Sequence, residues 1–220
     1  MPYPQIKRRQ SGFTLIEIAI VLVIIGLLLG GILKGQELIN SARIKNLGTD
    51  FRNVPVFVYG YQDKFRTLPG DDSAANTHLT GGTVATTGGT PGNGLIEGAW
   101  NSTTPTLESF LFWQHVRLAG LAPGPTAVGA ADYQPRNAVS GVIGIQSTAP
   151  FSTMNSGTYF ICSGAIKGNF AKQLDSQLDD GNTATGSMQA GVGATVNGAN
   201  AATATVDINP ATDYDVCMGI

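Results

Sequence analysis

A long apolar stretch near the N-terminus constrains this chain more than any other feature. Residues Phe13 to Leu33 form a run of 21 residues with a single charge, Glu17. As a helix with a rise of about 1.5 Å per residue, this run would be roughly 31 Å long, which matches the hydrocarbon thickness of a bilayer. We therefore predict a helix over 13–33 that spans a membrane.

The residues around this run indicate its orientation and argue against a conventional secretory signal. Lys7, Arg8 and Arg9 precede it and should stay in the cytoplasm while the rest of the chain crosses. A cleavable secretory signal has a shorter apolar region followed by a small-residue cleavage site. The sequence at the end of this run, Gly-Gly-Ile-Leu-Lys, is a poor match to such a site.

Composition excludes several classes of function. Charged residues make up 13% of the chain and the formal net charge is −2, so there is no basic footprint for nucleic acid. Two cysteines alone cannot supply the four ligands of a zinc site, and the two histidines add little to them. The sequence contains no Walker loop, Gly-x-Ser-x-Gly or His-Glu-x-x-His motif, and we do not expect an enzyme.

Glu17 is in an unusual place for a carboxylate. At the centre of a membrane helix such a group costs about 2.5–3.5 kcal/mol, and less near the end, where it could snorkel to the interface. The segment Lys-Arg-Arg-Gln-Ser-Gly-Phe-Thr-Leu-Ile-Glu, residues 7–17, resembles the class III signal of type IV pilins and type II secretion pseudopilins. The basic leader, the glycine, the aromatic residue and the acid all have the spacing of that family.

The resemblance implies a defined processing pathway. A prepilin peptidase that is also an N-methyltransferase would cut after Gly12 and methylate the new N-terminal residue, Phe13, so that residues 1–12 are a leader peptide. In a filament, the N-terminal ammonium of a neighbouring subunit would pair with Glu17. Because an unpaired carboxylate is unfavourable in a hydrophobic bundle, this pair would set the axial register of each added subunit.

The resemblance also implies an α+β pilin fold, in which a long N-terminal α-helix packs on an antiparallel β-sheet head domain. A continuous apolar stripe favours an amphipathic continuation of the helix over 34–68. We expect Pro55 to kink the helix and Pro69-Gly70 to end it, so that 69–220 form the head. The stripe consists of Ile44, Leu47, Phe51, Val54, Val58, Tyr61 and Phe65.

The head has weaker local signals. Residues 71–100 are rich in Gly, Thr, Asn and Asp, which predicts a long surface loop with a mobile part over 80–94. The segment 186–206 fits either strands or loops. The remaining predicted elements are a helix over 105–118 that Thr104 caps and Gly120 closes, strands over 139–146 and 157–162, and a helix over 169–178 that ends at Asp179-Asp180-Gly181.

A disulfide is expected in the head. The resemblance places the head in the periplasm, where disulfides persist. A bond between Cys162 and Cys217 would contribute about 4 kcal/mol on the loop-entropy model. The alternative is a pair of buried free thiols.

Calcium is the one ligand that the sequence suggests, and no other cofactor is expected. Asp71, Asp72, Asn93 and Glu97 flank the Gly-rich loop, and calcium takes six to eight oxygen ligands. The alternative is that they are solvated turn residues. The cluster Asp175, Asp179 and Asp180 is also rich in oxygen donors, although Asp179-Asp180-Gly181 is typical of a turn.

His115 is not expected to be catalytic. Glu108 precedes it by two helical turns, about 10 Å, which is too far for a hydrogen bond between the two side chains. A core histidine is the simpler interpretation.

The resemblance implies a structural subunit of a type IV pilus-like filament, polymerised through its N-terminal helix. It would be a single-pass protein of the bacterial inner membrane with a periplasmic head. Its partners would be prepilin peptidase, the inner-membrane assembly platform and other pilin or pseudopilin subunits, with no nucleic acid required. The alternatives are a pseudopilin of type II secretion, and a minor pilin whose loops over 71–100 bind a surface, DNA or secreted cargo.

Overall fold

The computed structural model of the chain describes residues 12, 14–196 and 198–220. The chain divides into two compact units, Met1–Ala42 and Arg43–Ile220. The first helix, α1, runs over Leu15–Phe65 and contributes to both units. The predicted long N-terminal helix is confirmed, and its 51 residues continue through Pro55.

Helix α1 ends earlier than the sequence predicts. The sequence analysis places its end at Pro69-Gly70, but the last helical residue is Phe65. Arg66 adopts a φ of +60°, the left-handed conformation that commonly terminates helices. Leu68 and the turn that follows are buried in the head and do not extend the helix.

The remaining elements of the head follow in chain order. The helix predicted over 105–118 begins later, at Glu108, because 104–107 form a turn with Leu107 as the helix N-cap, and the predicted cap at Thr104 is wrong. Gly120 closes it with a φ of +77°, as predicted. The elements are α2 (Ala75–His78), α3 (Glu108–Leu118), β1 (Ile143–Gln146), β2 (Phe160–Lys167), α4 (Gly168–Leu178), β3 (Met188–Gly191) and β4 (Asp213–Gly219).

The four strands form one antiparallel sheet in the order β1-β2-β4-β3. The α+β layout expected from the sequence is therefore confirmed. Both predicted strands begin too early, since β1 starts at Ile143 and β2 at Phe160. The sequence analysis does not place β3 or β4.

The second unit, Arg43–Ile220, has a core of its own and is called the head from here on. The predicted apolar stripe of α1 is confirmed, because its members from Ile44 to Tyr61 are buried and Phe65 is half-buried. The buried aliphatic members of the stripe share one core cluster with Ile145, Ile161 and Val216 of the sheet. Full burial of each large apolar side chain contributes about 1.5–3 kcal/mol.

Helix α3 is buried on all sides over most of its length. Every residue from Glu108 to Arg117 is buried, including Gln114 and His115. The helix packs next to β1. Among its polar side chains, Gln114, His115 and Arg117 make hydrogen bonds within the head, whereas one oxygen of Glu108 has no partner among the described residues.

The predicted surface loop over 71–100 is partly internal. Ala75, Leu79, Ala85 and Ile96 are buried. The backbone N–H of Thr83 donates to Gln114 Oε1 at 2.9 Å, which connects the loop to α3. The prediction of a loop is confirmed, because the segment contains no long helix or strand. The prediction that it lies on the surface is wrong for these buried residues.

Candidate functional site

The N-terminal segment begins with a reciprocal hydrogen-bonded cap. Glu17 lies in the first turn of α1, and its Oε2 accepts hydrogen bonds from the Thr14 N–H at 2.8 Å and the Thr14 hydroxyl at 2.7 Å. In return, the Glu17 N–H donates to Thr14 Oγ1 at 3.3 Å. This is a capping box, in which Thr-x-x-Glu satisfies N–H groups that a helix N-terminus leaves without partners.

The sequence analysis missed this arrangement, although the Thr14-x-x-Glu17 spacing signals it. The sequence-based interpretation assigns Glu17 to a pair with a neighbour's ammonium and does not include a bond within its own turn. The N-terminus of a helix carries partial positive charge and stabilises a carboxylate in its first turn. Glu17 is therefore held in a defined position by its own chain before any neighbour is present.

The large apolar side chains over 15–39 form an exposed surface that no other described residue covers. Every large apolar side chain in this range is exposed, with Leu15 at 93% and Leu27 at 74% of full exposure. Helix α1 is long and apolar enough to cross a membrane, judged by length and composition. An exposed apolar surface of this extent is unfavourable in water and indicates a membrane or protein partner.

Gly12 has open space around it. It is exposed, and a β-carbon added there would meet no heavy atom of the described residues within 4 Å. The predicted site of N-methylation, Phe13, lies outside the described residues. Cleavage after Gly12 and methylation of Phe13 therefore remain predictions from the motif.

The predicted calcium ligands divide between two hydrogen-bond networks. Asp71 is almost fully buried, and its carboxylate accepts the backbone N–H groups of Gly92, Asn93 and Gly94. The Asn93 side-chain amide donates to Glu97 Oε1 at 3.2 Å. One network therefore contains Asp71, Asn93 and Glu97. In it, the carboxylate of Asp71 hydrogen-bonds the backbone over 92–94 to the segment that follows α1.

Asp72 belongs to the other network. Its Oδ2 lies 2.7 Å from both the Tyr61 hydroxyl and His78 Nδ1, and its Oδ1 accepts the Ala74 N–H. Burial acts to raise the pKa of Asp72, but the hydrogen bonds from His78, Tyr61 and Ala74 outweigh it and hold the pKa below its usual value. Calcium binding by Asp71, Asp72, Asn93 and Glu97 stays a prediction.

His115 is a structural member of the core. It is fully buried, its Nδ1 accepts the Gly70 N–H at 2.9 Å, and its Nε2 lies 2.8 Å from the Thr83 carbonyl oxygen. This pair of contacts suits a neutral ring with the proton on Nε2. Burial also lowers the pKa of His115, which favours the neutral ring. Through its two contacts the ring joins the turn after α1 to the loop over 71–100.

Glu108 is a buried acid whose environment the sequence did not reveal. Its Oε2 accepts the Glu97 N–H at 2.9 Å, while Glu108 Oε1 and Glu97 Oε2 are buried and have no hydrogen-bond partner. Burial, followed by the negative charges of Asp71 and Glu97, raises the pKa of Glu108 to about 8. Glu108 therefore holds its proton near neutral pH.

A disulfide joins Cys162 and Cys217, as the sequence analysis expects. The two residues face each other on the neighbouring strands β2 and β4, and both are fully buried. They share a second core cluster with Trp100, Phe151 and Met154. The bond links the last strand of the chain to the centre of the sheet.

Comparison with known proteins supports the interpretation of the N-terminal segment. Residues 7–33 match the family model described as the prokaryotic N-terminal methylation motif. The match contains Gly12, Phe13 and Glu17, and the motif is the class III signal of type IV pilins and pseudopilins. No curated protein and no solved structure matches the chain. The resemblance identified from residues 7–17 is confirmed.

Proposed function

We propose that this chain is the structural subunit of a type IV pilus-like filament, assembled from the bacterial inner membrane through its N-terminal helix. The methylation motif over 7–33 carries the proposal, because it combines a cleavage signal with an apolar helix that has one acid in its first turn. The motif implies processing by prepilin peptidase and assembly with other subunits of this type. It also fits an anchor in the inner membrane, with the head in the periplasm as the proposed topology.

The exposed surface of Leu15–Ile39 requires two successive environments in this proposal. Lipid covers it before assembly, and the same segments of neighbouring subunits cover it in the filament core. Both environments remove the apolar side chains from water, so transfer between them costs little hydrophobic free energy. Polar groups must then provide the specificity that apolar contact lacks.

Glu17 is the group proposed to provide that specificity. Its capping box with Thr14 survives cleavage, because the Thr14 N–H belongs to the Phe13–Thr14 peptide bond, which processing leaves intact. The carboxylate would accept the ammonium of a neighbouring Phe13. A misplaced subunit would bury Glu17 without this ammonium, which is strongly unfavourable in an apolar bundle.

Substitution of Gly12 tests the processing step. Gly12→Ala should leave the leader attached, because the peptidase requires close access to the backbone that only glycine gives. Gly30→Ala is the matched control, since this exposed helix glycine also has no atom within 4 Å of an added β-carbon. Electrophoretic mobility with and without a co-expressed prepilin peptidase is the readout. Normal cleavage of Gly12→Ala, or no cleavage of the wild-type chain, would contradict the proposal.

Substitution of Glu17 tests the assembly step separately. Glu17→Ala should be processed and inserted in the membrane as the wild type is, but should form few filaments in a sheared-filament assay. Glu37→Ala is the matched control, because Glu37 is an exposed acid of the same helix beyond the motif. Wild-type amounts of Glu17→Ala filament would show that this carboxylate does not set the register.

Type II secretion is the second candidate, since the motif is common to pilins and pseudopilins. Deletion of the gene distinguishes them. Loss of surface filaments with normal protein secretion supports the pilus, whereas accumulation of secreted proteins in the periplasm with intact surface filaments supports the pseudopilus. The disulfide-tied head favours the pilus.

A further inference from the structure

Three aspartates meet where α4 ends. Asp175 lies in the last turn of the helix, and Asp179 and Asp180 follow it directly. One carboxylate oxygen from each residue lies within 4.8 Å of the others. Asp175 is buried, Asp179 is half-buried and Asp180 is exposed, so the group extends from the interior to the solvent.

Asp175 is the unusual member of this group. It is only 1% exposed, and both of its carboxylate oxygens are buried without a hydrogen-bond partner. The Gly181 N–H is directed toward it and acts to lower its pKa, but burial and the charges of Asp180 and Asp179 raise the pKa to about 7. A buried carboxyl group without a partner is unfavourable, and more so when it is charged.

Among the described residues, no cationic side chain forms an ion pair with these aspartates. The last turn of α4 contains no basic residue, and its C-terminal carbonyl groups carry partial negative charge. Three carboxylates and a helix C-terminus therefore converge on a point that a cation would stabilise.

The two outer aspartates are held in position by the loop that leads to β3. Asp179 accepts hydrogen bonds from the Ser187 hydroxyl at 3.0 Å and from the Met188 N–H at 2.8 Å. Asp180 accepts the Asn182 N–H at 2.8 Å and the Thr185 hydroxyl at 2.7 Å. Each carboxylate oxygen has further lone pairs, so these hydrogen bonds orient the groups and leave capacity for a metal ion.

We propose that Asp175, Asp179 and Asp180 form a binding site for a divalent cation and that the cation is calcium. The ligands are all carboxylate oxygens, which favours a hard cation over zinc or copper. Calcium accepts six to eight oxygens in variable geometry, so water molecules on the exposed side of Asp180 complete the shell. Magnesium requires near-ideal octahedral geometry, so we expect these three carboxylates to bind it more weakly than calcium.

Calcium would connect α4 to the sheet. Asp179 is bonded to Met188, the first residue of β3, while Asp175 belongs to α4. A cation between them neutralises the buried carboxylate and ties the two elements together. Since the ion binds the folded head and not the unfolded chain, it raises the stability of the head.

The test measures calcium binding to the full chain in detergent micelles, and it requires neither processing nor filaments. The wild type should unfold at a higher temperature in calcium than in EGTA, with a smaller shift in magnesium. Titration calorimetry should give one calcium per chain at this site. In Asp175→Asn the calcium-induced shift should be lost, while the melting temperature in EGTA equals or exceeds that of the wild type, because the buried charge is gone.

Three further variants make the result specific. Asp207→Asn removes an exposed carboxylate elsewhere in the head and should keep the full calcium shift. Asp180→Asn removes an exposed ligand with little risk to folding and should weaken calcium binding about tenfold, a change of about 1.4 kcal/mol. Glu108→Gln tests the acids near the loop over 71–100 and should keep the shift. No calcium shift in the wild type, a full shift in Asp175→Asn, or a loss confined to Glu108→Gln would overturn the proposal.

Discussion

The two compact units of this chain treat apolar side chains in opposite ways. Over 15–39 every large apolar side chain is exposed, whereas over 43–220 the same residue types form a closed core. Helix α1 contains both patterns, so secondary structure does not distinguish them. The two patterns differ in what covers the apolar side chains. In the head, other residues of the same chain cover them, whereas the surface over 15–39 would need lipid or other chains.

Polar groups show the same contrast. Glu17 is exposed and is bonded to Thr14 within its own turn, while Glu108 and Asp175 are buried with oxygens that have no partner. In the first unit the acid is accessible, and the proposed function gives it a partner in a filament. In the head, one acid is neutralised by its proton and the other is proposed to hold calcium.

The disulfide should have the largest effect on the stability of the head. Replacing Cys162 and Cys217 together by alanine should lower the free energy of unfolding by about 4 kcal/mol, because the unfolded chain loses a constraint that closes a loop of 55 residues. Tryptophan fluorescence of the full chain in detergent reports on the head alone, since Trp100 and Trp113 are both in it. A change below about 1 kcal/mol would mean that the two core clusters hold the sheet without the bond.

A pair of identical substitutions on α1 tests the comparison directly. Leu47→Ala should destabilise the head by about 3 kcal/mol, because Leu47 is fully buried and its removal leaves a cavity. Leu38→Ala, nine residues earlier on the same helix, removes a side chain that is 63% exposed. It should change the unfolding of the head by less than about 0.5 kcal/mol. Equal effects would show that the two parts of α1 are not distinct in their packing.

The pH dependence of stability should reveal Glu108. Burial raises the pKa of Glu108 from its usual value of 4.5 to about 8 in the folded protein. The folded state therefore binds more protons than the unfolded state between these values, and stability falls as pH rises from about 4.5 to 8. Asp175, with a pKa of about 7, acts in the same direction but completes its change earlier.

Glu108→Gln should remove the upper part of this decline. At pH 9 in EGTA the variant should be more stable than the wild type by about 1–3 kcal/mol, because it avoids a buried unpaired charge and its amide can donate to Glu97 Oε2. Glu37→Gln, at an exposed acid of α1, is the matched control and should follow the wild type. Parallel pH profiles for Glu108→Gln and wild type would contradict the assignment.

The sequence predicted the features that depend on long periodic patterns. The length of α1, its buried stripe and the N-terminal motif all extend over many residues, so local exceptions such as Pro55 did not obscure them. Helix α4 was predicted to within one residue because Asp179-Asp180-Gly181 follows it. The disulfide followed from the family resemblance and the cysteine count.

Features that depend on tertiary partners could not be predicted. Strand β4 lies between β2 and β3, and only Tyr214, Val216 and Cys217 in it are buried, so its sequence has no continuous apolar run. Helix α3 is polar in places and is nevertheless buried throughout, because Gln114 and His115 find partners in the loop over 71–100. For Asp175, Asp179 and Asp180 the sequence leaves a cation site and a turn both open, since spacing does not show that one carboxyl group is buried without a partner.

Cleavage after Gly12 and methylation of Phe13 are the first steps by which the chain would enter a filament. Both can be read from the N-terminus of the native protein. Intact mass and N-terminal sequencing should be performed on the chain purified from its own membrane. If the chain is processed as a prepilin, the native protein begins at Phe13 and carries one N-methyl group. A chain that begins at Met1, or one cut after Leu33, would contradict this processing and leave a plain anchored or secreted domain.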